Sequence, residues 1–412
     1  MPEVAEVAHV CALLRRNILG FTIKEAKLSL DTLLFPALKT AKDQEGTLAG
    51  FTDKLNGAEV SSIGRHGKYF WMRLAKPELE PTVMLMHFGM TGMVKLRDIE
   101  SHLIFMEGGG DKKVLDRAMQ KDLSEGTTDE NNTNKRSNKP PIETDAEAEW
   151  PPRFTKFELS LEKADSVVKK EGGEAEQALR TLDFAFTDPR RLGRVRILTG
   201  SEYATDDLLL QQDPLKSLGP DYSKAAEGDA VMKEEDGVDS FEFGDPDPHH
   251  HGRPRLTKED FAQLVLSKKK AIKSLLLDQE HFAGVGNWVS DEILFHAKIH
   301  PNETISNKIE SPADEILESL YNALIYVMEE SVRVEGNVHR FPDHWLMIYR
   351  WGKGRKVKAK TKAGHAVDHV TVGGRTSCFV PEIQKPLKKR KGGEVEESQK
   401  KRLKKFKNEE ED

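Results

Sequence analysis

The first twenty residues carry apolar side chains at helical spacing. Val4, Val7, Cys11, Leu14 and Ile18 recur every three or four residues. Gly20 follows them, and a glycine at this point allows the left-handed cap that ends many helices. The pattern predicts a helix that begins almost at residue 2 and ends before Gly20.

From Ile23 to Leu96 the pattern changes to short runs of β-branched and aromatic residues between glycine-bearing turns, as in VSSIGRHGKYFWMRL. The same pattern resumes in FTKFELSL and DFAFTDPRRLGRVRIL. These runs predict β-hairpins in one domain over residues 1–200, with the sheets forming a sandwich or flattened barrel. Residues 106–150 lack hydrophobic periodicity, and we expect a disordered insertion there.

Beyond residue 252 the pattern is helical. Thr257 with Asp260 predicts a helix start, and the turn FAGVGN precedes a helix from about Val289 to Ala297. Ser311 and Pro312 predict the start of a last helix that stops at Gly336. We expect a helical domain over 253–345 and a small basic β-hairpin over 346–385. The predicted fold class is therefore α+β.

Composition excludes several classes of protein. The 412 residues are 37% hydrophobic and 32% charged, as in globular proteins of two or three domains. No apolar run of membrane-spanning length and no signal peptide is evident, so we expect an intracellular protein without a membrane partner. Cys11 and Cys378 are far apart, and no C-x-x-C occurs. This excludes a disulfide framework and a thiolate zinc site, and no metal is expected.

The formal net charge of −6 is unevenly distributed. The low-complexity stretches 106–150 and 221–252 are acidic, and we interpret 201–252 as an acidic linker. Without these stretches the remainder is net basic, which favours a nucleic-acid partner. The tail 386–412 carries two basic blocks and predicts a disordered segment. Those blocks are typical of a nuclear import signal or a nonspecific nucleic-acid arm, so we expect a nuclear protein.

The N-terminus is a candidate reacting group. Pro2 is small enough for removal of Met1 to be expected, and removal would expose a secondary amine. At a helix N-terminus the protonated form of such an amine is disfavoured, which leaves more of the neutral nucleophile. Attack on a carbonyl-level carbon would give an iminium. Glu3 and Glu6 lie beside it, and on their own they are equally typical of carboxylates that compensate the helix dipole.

Several motifs together resemble those of the formamidopyrimidine-DNA glycosylase and endonuclease VIII family. The motifs are MPEVAEV at the start, GRHGKYF (64–70), HFGMTG (87–92), TDPRRLG (187–193) and the long run from Lys268 to Pro301. The last run resembles the family's helix-two-turn-helix DNA-binding element. GGRTSCFVPEIQK (373–385) resembles the final hairpin of the plant and fungal branch, in which the zinc finger is zincless.

The resemblance implies base excision repair chemistry at three residues. Pro2 would attack C1′ of the damaged nucleotide, and Glu3 would donate and accept protons at the sugar. Lys68 would hold a backbone phosphate near the lesion. No cofactor is needed for these steps.

The resemblance also implies DNA-binding residues. Met90, Arg190 and Leu192 match the wedge that fills the space left by an extruded nucleotide. Leu192 departs from the phenylalanine common in the bacterial enzymes, and leucine stacks less well on a base. Asn287, beside the turn AGVGN, would donate to a phosphate, and Arg375 matches an arginine of the finger. Lys268, Lys269, Lys270 and Lys273 crowd one helix start, as a phosphate-tracking surface would.

These features predict a monomeric DNA glycosylase with β,δ-lyase activity. Its expected partner is double-stranded DNA that contains oxidised or abasic sites, and its expected substrates are oxidised purines such as formamidopyrimidines. One alternative is a preference for oxidised pyrimidines, as in the endonuclease VIII branch. Another is a non-catalytic protein that binds damaged DNA or chromatin with the same fold.

Overall fold

The computed structural model describes residues 2–103, 149–169, 175–224, 252–350 and 358–388, with only the backbone for 165–169 and 175–178. Most of the predicted 106–150 insertion and of the basic tail 386–412 lies outside these residues. The chain forms two compact units. The first comprises Met1–Pro2, Leu13–Ile63 and Trp71–Ala204. The second comprises Glu3–Ala12, Gly64–Phe70 and Thr205–Asp412, so it takes two segments from within the predicted 1–200 domain.

The opening helix α1 (Val4–Ile18) is confirmed, and Gly20 follows it with a φ of +76°. The strands are β1 (Thr22–Leu28), β2 (Glu59–His66), β3 (Tyr69–Ala75), β4 (Thr82–His87), β5 (Met93–Leu96), β6 (Thr155–Lys169), β7 (Ala175–Thr187) and β8 (Arg194–Thr199). Helices α2 (Pro36–Thr40) and α3 (Gln44–Leu55) connect β1 to β2. The eight strands form a sheet in the order β5-β7-β6-β1-β2-β3-β4-β8.

The two halves of this sheet meet at β1 and β2, which share the single register pair Thr22 and Glu59. Phe88, after β4, stacks on Phe186 of β7 with ring centroids 5.9 Å apart. Phe157 of β6 also stacks on Phe186, with ring centroids 5.3 Å apart. Because β4 and β7 belong to opposite halves, the halves face each other across this aromatic core, as the predicted sandwich requires.

The second unit is built from helices α4 (Asp206–Leu210), α5 (Lys258–Ser267), α6 (Ile272–Leu276), α7 (Asn287–His296) and α8 (Glu315–Arg333). The Thr257 cap is confirmed, since its side chain accepts the Asp260 amide. The start predicted at Ser311 and Pro312 is wrong. Asp314 caps α8 by accepting the Ile316 amide, and its buried carboxylate supplies the stronger acceptor. Gly336, with a φ of +65°, ends this region as predicted.

The predicted hairpin is present as β9 (Asp368–Val372) and β10 (Arg375–Phe379), paired antiparallel. Within the stretch predicted as a 201–252 linker, residues 201–224 instead form short helices and bury Tyr222 and Asp221. Composition gave no sign of this, because the apolar residues of LLLQQDPLKSLGPDY are too few to form a periodic stripe. No helix among the described residues is long and apolar enough to cross a membrane.

Candidate active site

Glu3 occupies the N-terminus of helix α7. Its side chain is fully buried, and its two carboxylate oxygens accept the backbone amides of Trp288 and Val289, each at 3.1 Å. The N-cap residue Gly286 offers no side chain, and a Cβ there would lie 2.1 Å from Cδ of Glu3. A helix N-terminus favours a negative charge at this position. Glu3 therefore caps the N-terminus of α7 with its side chain, a contact that its first-turn position in α1 did not predict.

Burial in this site raises the pKa of Glu3, although the charge of Lys68 and the two amides act in the opposite direction. Glu6 lies one turn further along α1, where Oε2 accepts the Glu3 amide at 2.9 Å and Oε1 accepts the Trp288 indole at 3.1 Å. Burial, followed by the charge of Glu3, raises the pKa of Glu6 to about 7. The site thus holds two adjacent carboxyl groups whose pKa values are both raised by burial.

Lys68 lies in the turn between β2 and β3. Its Nζ donates to the carbonyl of Val285 at 2.9 Å, just before α7 begins. The preceding Gly67 has a φ of +58°, and a Cβ there would approach the Gly284 amide to 2.9 Å. The Val4 amide also donates to the carbonyl of Gly284, at 3.2 Å. The structure therefore brings Lys68 and Glu3 together on the turn AGVGN.

Asp221 holds the Lys68 turn and was not foreseen from the sequence. Its Oδ2 accepts the Gly67 amide at 2.9 Å and pairs with Arg65 at 2.7 Å, and both side chains are fully buried. Ser223 donates its amide and hydroxyl to the other oxygen. Burial alone would raise the pKa of Asp221, but Arg65 and neighbouring cations lower it to about 2. The Lys68 turn is thus held by an ion pair.

The three predicted wedge residues lie in two neighbouring loops of the first unit. Met90 follows β4, whereas Arg190 and Leu192 connect β7 to β8. Gly89 has a φ of +62°, and a Cβ there would lie 2.3 Å from the carbonyl oxygen of Leu192. The two backbones therefore touch. Met90 and Leu192 are half-buried and Arg190 is exposed, so the side chains remain available to a ligand.

Asp188 joins these loops. Its buried carboxylate accepts the Thr91 hydroxyl at 2.7 Å from the first loop. It also accepts the amides of Arg190 at 3.1 Å and Gly193 at 2.7 Å in its own loop. One carboxylate thus fixes both halves of the predicted wedge through three neutral donors.

Asn287 makes a different contact from the one expected. Its Nδ2 donates at 3.1 Å to the carbonyl of Thr376 in β10, so its side chain joins α7 to the hairpin. Arg375, the first residue of β10, is exposed. Asp291 of α7 adds a second connection, because its Oδ2 accepts the Cys378 amide at 3.1 Å. Burial raises the pKa of the Cys378 thiol, which disfavours the thiolate that a zinc ligand must supply.

The predicted lysine surface is correct for only part of the cluster. Lys269 is exposed and Lys268 is half-buried, so both are placed where a phosphate could reach them. Lys270 pairs with Asp278 at 2.5 Å. Lys273 is fully buried against Asp291 and the carbonyl of Asn287. The helical position of Lys273 turns it into the core, where its charge is paired, so it is not a surface residue.

Comparisons with known proteins agree with this architecture. Residues 1–195 match the formamidopyrimidine-DNA glycosylase N-terminal domain, and residues 245–343 match the H2TH domain of the same glycosylases. The formamidopyrimidine-DNA glycosylase of Arabidopsis thaliana is 27% identical over 385 residues, which cover 93% of this chain and 71% of the relative. The Listeria innocua enzyme of that name is 33% identical over 138 residues, or 32% of this chain and about half of the relative, 49%.

A solved structure is also similar. It is the Lactococcus lactis formamidopyrimidine-DNA glycosylase bound non-covalently to DNA containing an abasic site, with a TM-score of 0.54 and 16% identity. The match covers 93% of this chain and 99% of the other, and at this identity it shows a shared fold. Since the two matching domains together span more than two thirds of the residues, the chain belongs to the formamidopyrimidine-DNA glycosylase and endonuclease VIII family of base excision repair.

Proposed function

We propose that this protein is a bifunctional DNA glycosylase and abasic-site lyase that removes oxidised purines from double-stranded DNA. The observation that carries the proposal is the placement of Glu3. A buried carboxyl, next in the chain to Pro2, is fixed by two amides of α7 and lies near the Lys68 ammonium. A protein that only binds DNA has no need of a buried acid with a raised pKa at this point.

The first step is attack by the neutral amine of Pro2 on C1′. The N–C1′ bond forms while the glycosidic bond breaks, and the base leaves with the bonding electron pair and takes up the proton that the Pro2 nitrogen loses, which returns a lone pair to that nitrogen. Glu3 gives its proton to O4′ as the sugar ring opens, and the nitrogen lone pair forms the iminium. The raised pKa of Glu3 suits it to this role, since a general acid must hold its proton at the working pH.

The iminium then acidifies the 2′-hydrogen. Loss of that proton expels the 3′-phosphate, and a second elimination expels the 5′-phosphate, so both strand ends are left as phosphates. Lys68 supports these steps by holding a backbone phosphate beside the lesion. Met90, Arg190 and Leu192 fill the space from which the nucleotide is extruded, which offsets part of the lost stacking. We further propose a nuclear location, because two basic blocks lie in the tail after Lys385.

Borohydride trapping on a duplex with an abasic site tests the nucleophile. We expect a covalent adduct whose reduced sugar is found by mass spectrometry on the nitrogen of Pro2. A form with one extra residue before Pro2 should form no adduct, because the amine has become an amide. Pro36→Gly, which alters a proline at the start of α2, should trap like the wild type. Tight binding of lesion duplexes without any adduct would establish the non-catalytic alternative.

The role of Glu3 is tested by separating base release from strand cleavage. Glu3→Gln should slow single-turnover release of formamidopyrimidine by roughly 10²- to 10⁴-fold, the usual contribution of a general acid. Cleavage at a preformed abasic site should fall less, since that sugar is already in equilibrium with its open-chain aldehyde and does not depend on Glu3 to open the ring. If Glu3→Gln lowers formamidopyrimidine release and abasic-site cleavage equally, Glu3 is needed only for folding or binding.

The substrate class is decided by a separate panel, in which formamidopyrimidine and oxidised pyrimidine lesions are placed in the same DNA sequence and their release is compared.

A further inference from the structure

Exposed apolar side chains are concentrated beside the two loops that carry the predicted wedge residues, which follow β4 and β7 and are called the wedge loops. Among the described residues, the exposed large hydrophobic side chains are Leu30, Leu33, Phe154, Leu179, Leu208 and Tyr326. The first three border the loop that connects β7 to β8. Asp31, between the two leucines, binds Arg191 through both carboxylate oxygens at 2.9 Å. The carbonyl of Phe154 accepts the amide of Asp188 at 3.1 Å, and Asp188 holds the loops of Met90 and Leu192.

Phe154 is rigidly presented to solvent. Its side chain is 47% exposed and its φ is +68°, a left-handed conformation that phenylalanine rarely adopts. The turn is fixed by Thr155, whose amide and hydroxyl donate to the carbonyl of Pro152 at 3.2 and 2.6 Å. The guanidinium of Arg153 lies over the ring, 4.6 Å from its centroid. A strained backbone conformation that the surrounding structure maintains is typical of functional sites, and here it occurs at an exposed aromatic residue.

The chemistry of this surface favours a nucleobase. An aromatic ring next to a guanidinium provides stacking and charge together, which is the combination that binds bases beside phosphates. Extrusion of a nucleotide exposes the faces of the bases around the gap, and these faces need a partner. Leu192 has no π-system to offer them. Arg190, exposed in the adjoining loop, adds positive charge for the backbone.

We propose that Phe154, with Arg153 over its ring, stacks on a nucleobase unstacked by nucleotide extrusion and so supplies the aromatic face that Leu192 lacks. This inference rests on the proposed function, because it requires a duplex in which a nucleotide leaves the stack. It adds a recognition residue from the start of β6 to the wedge positions in the loops after β4 and β7.

The test measures dissociation constants for full-length variants on two duplexes, one intact and one with a stable abasic analogue. Phe154→Ala should weaken binding of the abasic duplex by roughly 5- to 150-fold, the range for losing one stacked base. Phe154→Tyr should remain within about twofold of the wild type. Leu179→Ala removes another exposed side chain of the same sheet, at 56% exposure, and should change nothing. The salt dependence should be unchanged in all variants, because no charge is altered.

A 2-aminopurine placed beside the abasic analogue reports stacking directly. Its fluorescence should be quenched by the wild type and by Phe154→Tyr, but not by Phe154→Ala. If Phe154→Leu quenches and binds like the wild type, the contact is only apolar and the inference is overturned. Equal binding by Phe154→Ala and the wild type also overturns it. Failure of the wild type to prefer the abasic duplex would instead refute the proposed function.

Discussion

Two buried aspartates hold the two sets of candidate functional residues, and their partners differ in charge. Asp221 holds the Lys68 turn by pairing with Arg65, itself fully buried. Asp188 holds the wedge loops by accepting a hydroxyl and two backbone amides. The Lys68 turn therefore depends on a balance between buried charges, whereas the loops of the predicted wedge depend on hydrogen bonds from neutral groups.

This difference follows from what each region must do. Around Glu3 and the Lys68 turn, the charged side chains of Glu3, Arg65 and Asp221 are fully buried, and buried charges are tolerated only when they are paired. The wedge region has to present Met90, Arg190 and Leu192 to solvent, so only the backbone behind them needs to be fixed. Substitutions in the first region should therefore change stability strongly and in a pH-dependent way, whereas those in the second should cost less stability, independently of pH, and should change DNA binding.

The largest effect is expected from Asp221→Ala. It removes the carboxylate that pairs with the buried Arg65 guanidinium and should lower the free energy of unfolding by about 3–5 kcal/mol. Asp188→Ala leaves only neutral donors unsatisfied, and about 1–3 kcal/mol should be lost. Urea denaturation followed by circular dichroism measures both values.

The double variant Asp221→Ala with Arg65→Met is the matched control. Removing both charges should restore most of the stability lost in the single variant, because the Arg65 guanidinium is no longer buried opposite a missing carboxylate. If Asp221→Ala and Asp188→Ala lose equal stability, or if the double variant recovers none of it, the distinction between the two aspartates is wrong.

A second prediction concerns pH. The pKa of Glu6 is about 7 in the folded protein and near 4.5 when unfolded, so the folded state holds the proton longer. The contribution of this proton to the free energy of unfolding is fully present below about pH 4.5 and is lost as the pH rises through 7. Glu6→Gln should therefore gain stability relative to the wild type between pH 4.5 and 8, by up to about 3 kcal/mol. Denaturation at pH 5 and pH 8 measures the difference.

The wedge region supplies the control for this prediction. Thr91→Ala removes one hydroxyl donor to Asp188 and should lose stability by a similar amount at both pH values. A Glu6→Gln variant whose stability runs parallel to the wild type over the same range would contradict the charge-based account of the Glu3 region.

Local sequence signals predicted much of the fold. Thr257 and Gly20 are recognisable because capping depends on the residue itself and on its immediate neighbours. Ser311 failed for the same reason, since Asp314 offers a competing cap three residues later and the pattern could not choose between them. The eight-stranded order was not predictable from the sequence, because β1 pairs with β6 across more than a hundred intervening residues.

The candidate site was foreseen in its residue types and less so in its contacts. The resemblance named Glu3, but its amide partners lie about 285 residues away, beyond the reach of any local pattern. Asn287 was expected to donate to a phosphate because it follows a glycine-rich turn, whereas its amide donates to Thr376. Asp221 was missed because its role depends on Arg65, 156 residues away.

The smallest expected effect separates two adjacent arginines of the wedge loop. Arg191 is paired with Asp31, while Arg190 is exposed and has no ion pair among the residues the structure describes. Arg190→Gln should reduce the slope of the logarithm of the DNA association constant against the logarithm of the salt concentration by about 0.9, which is the value for one phosphate contact. Its stability should not change. Arg191→Gln should leave the slope unchanged and lower stability only slightly, since the Arg191 side chain of its ion pair is about half exposed. Salt titrations of binding to an abasic duplex, with urea denaturation of the same samples, measure both. If the two variants change the slope equally, pairing with Asp31 does not withhold Arg191 from DNA, and the wedge loop presents both charges to the backbone.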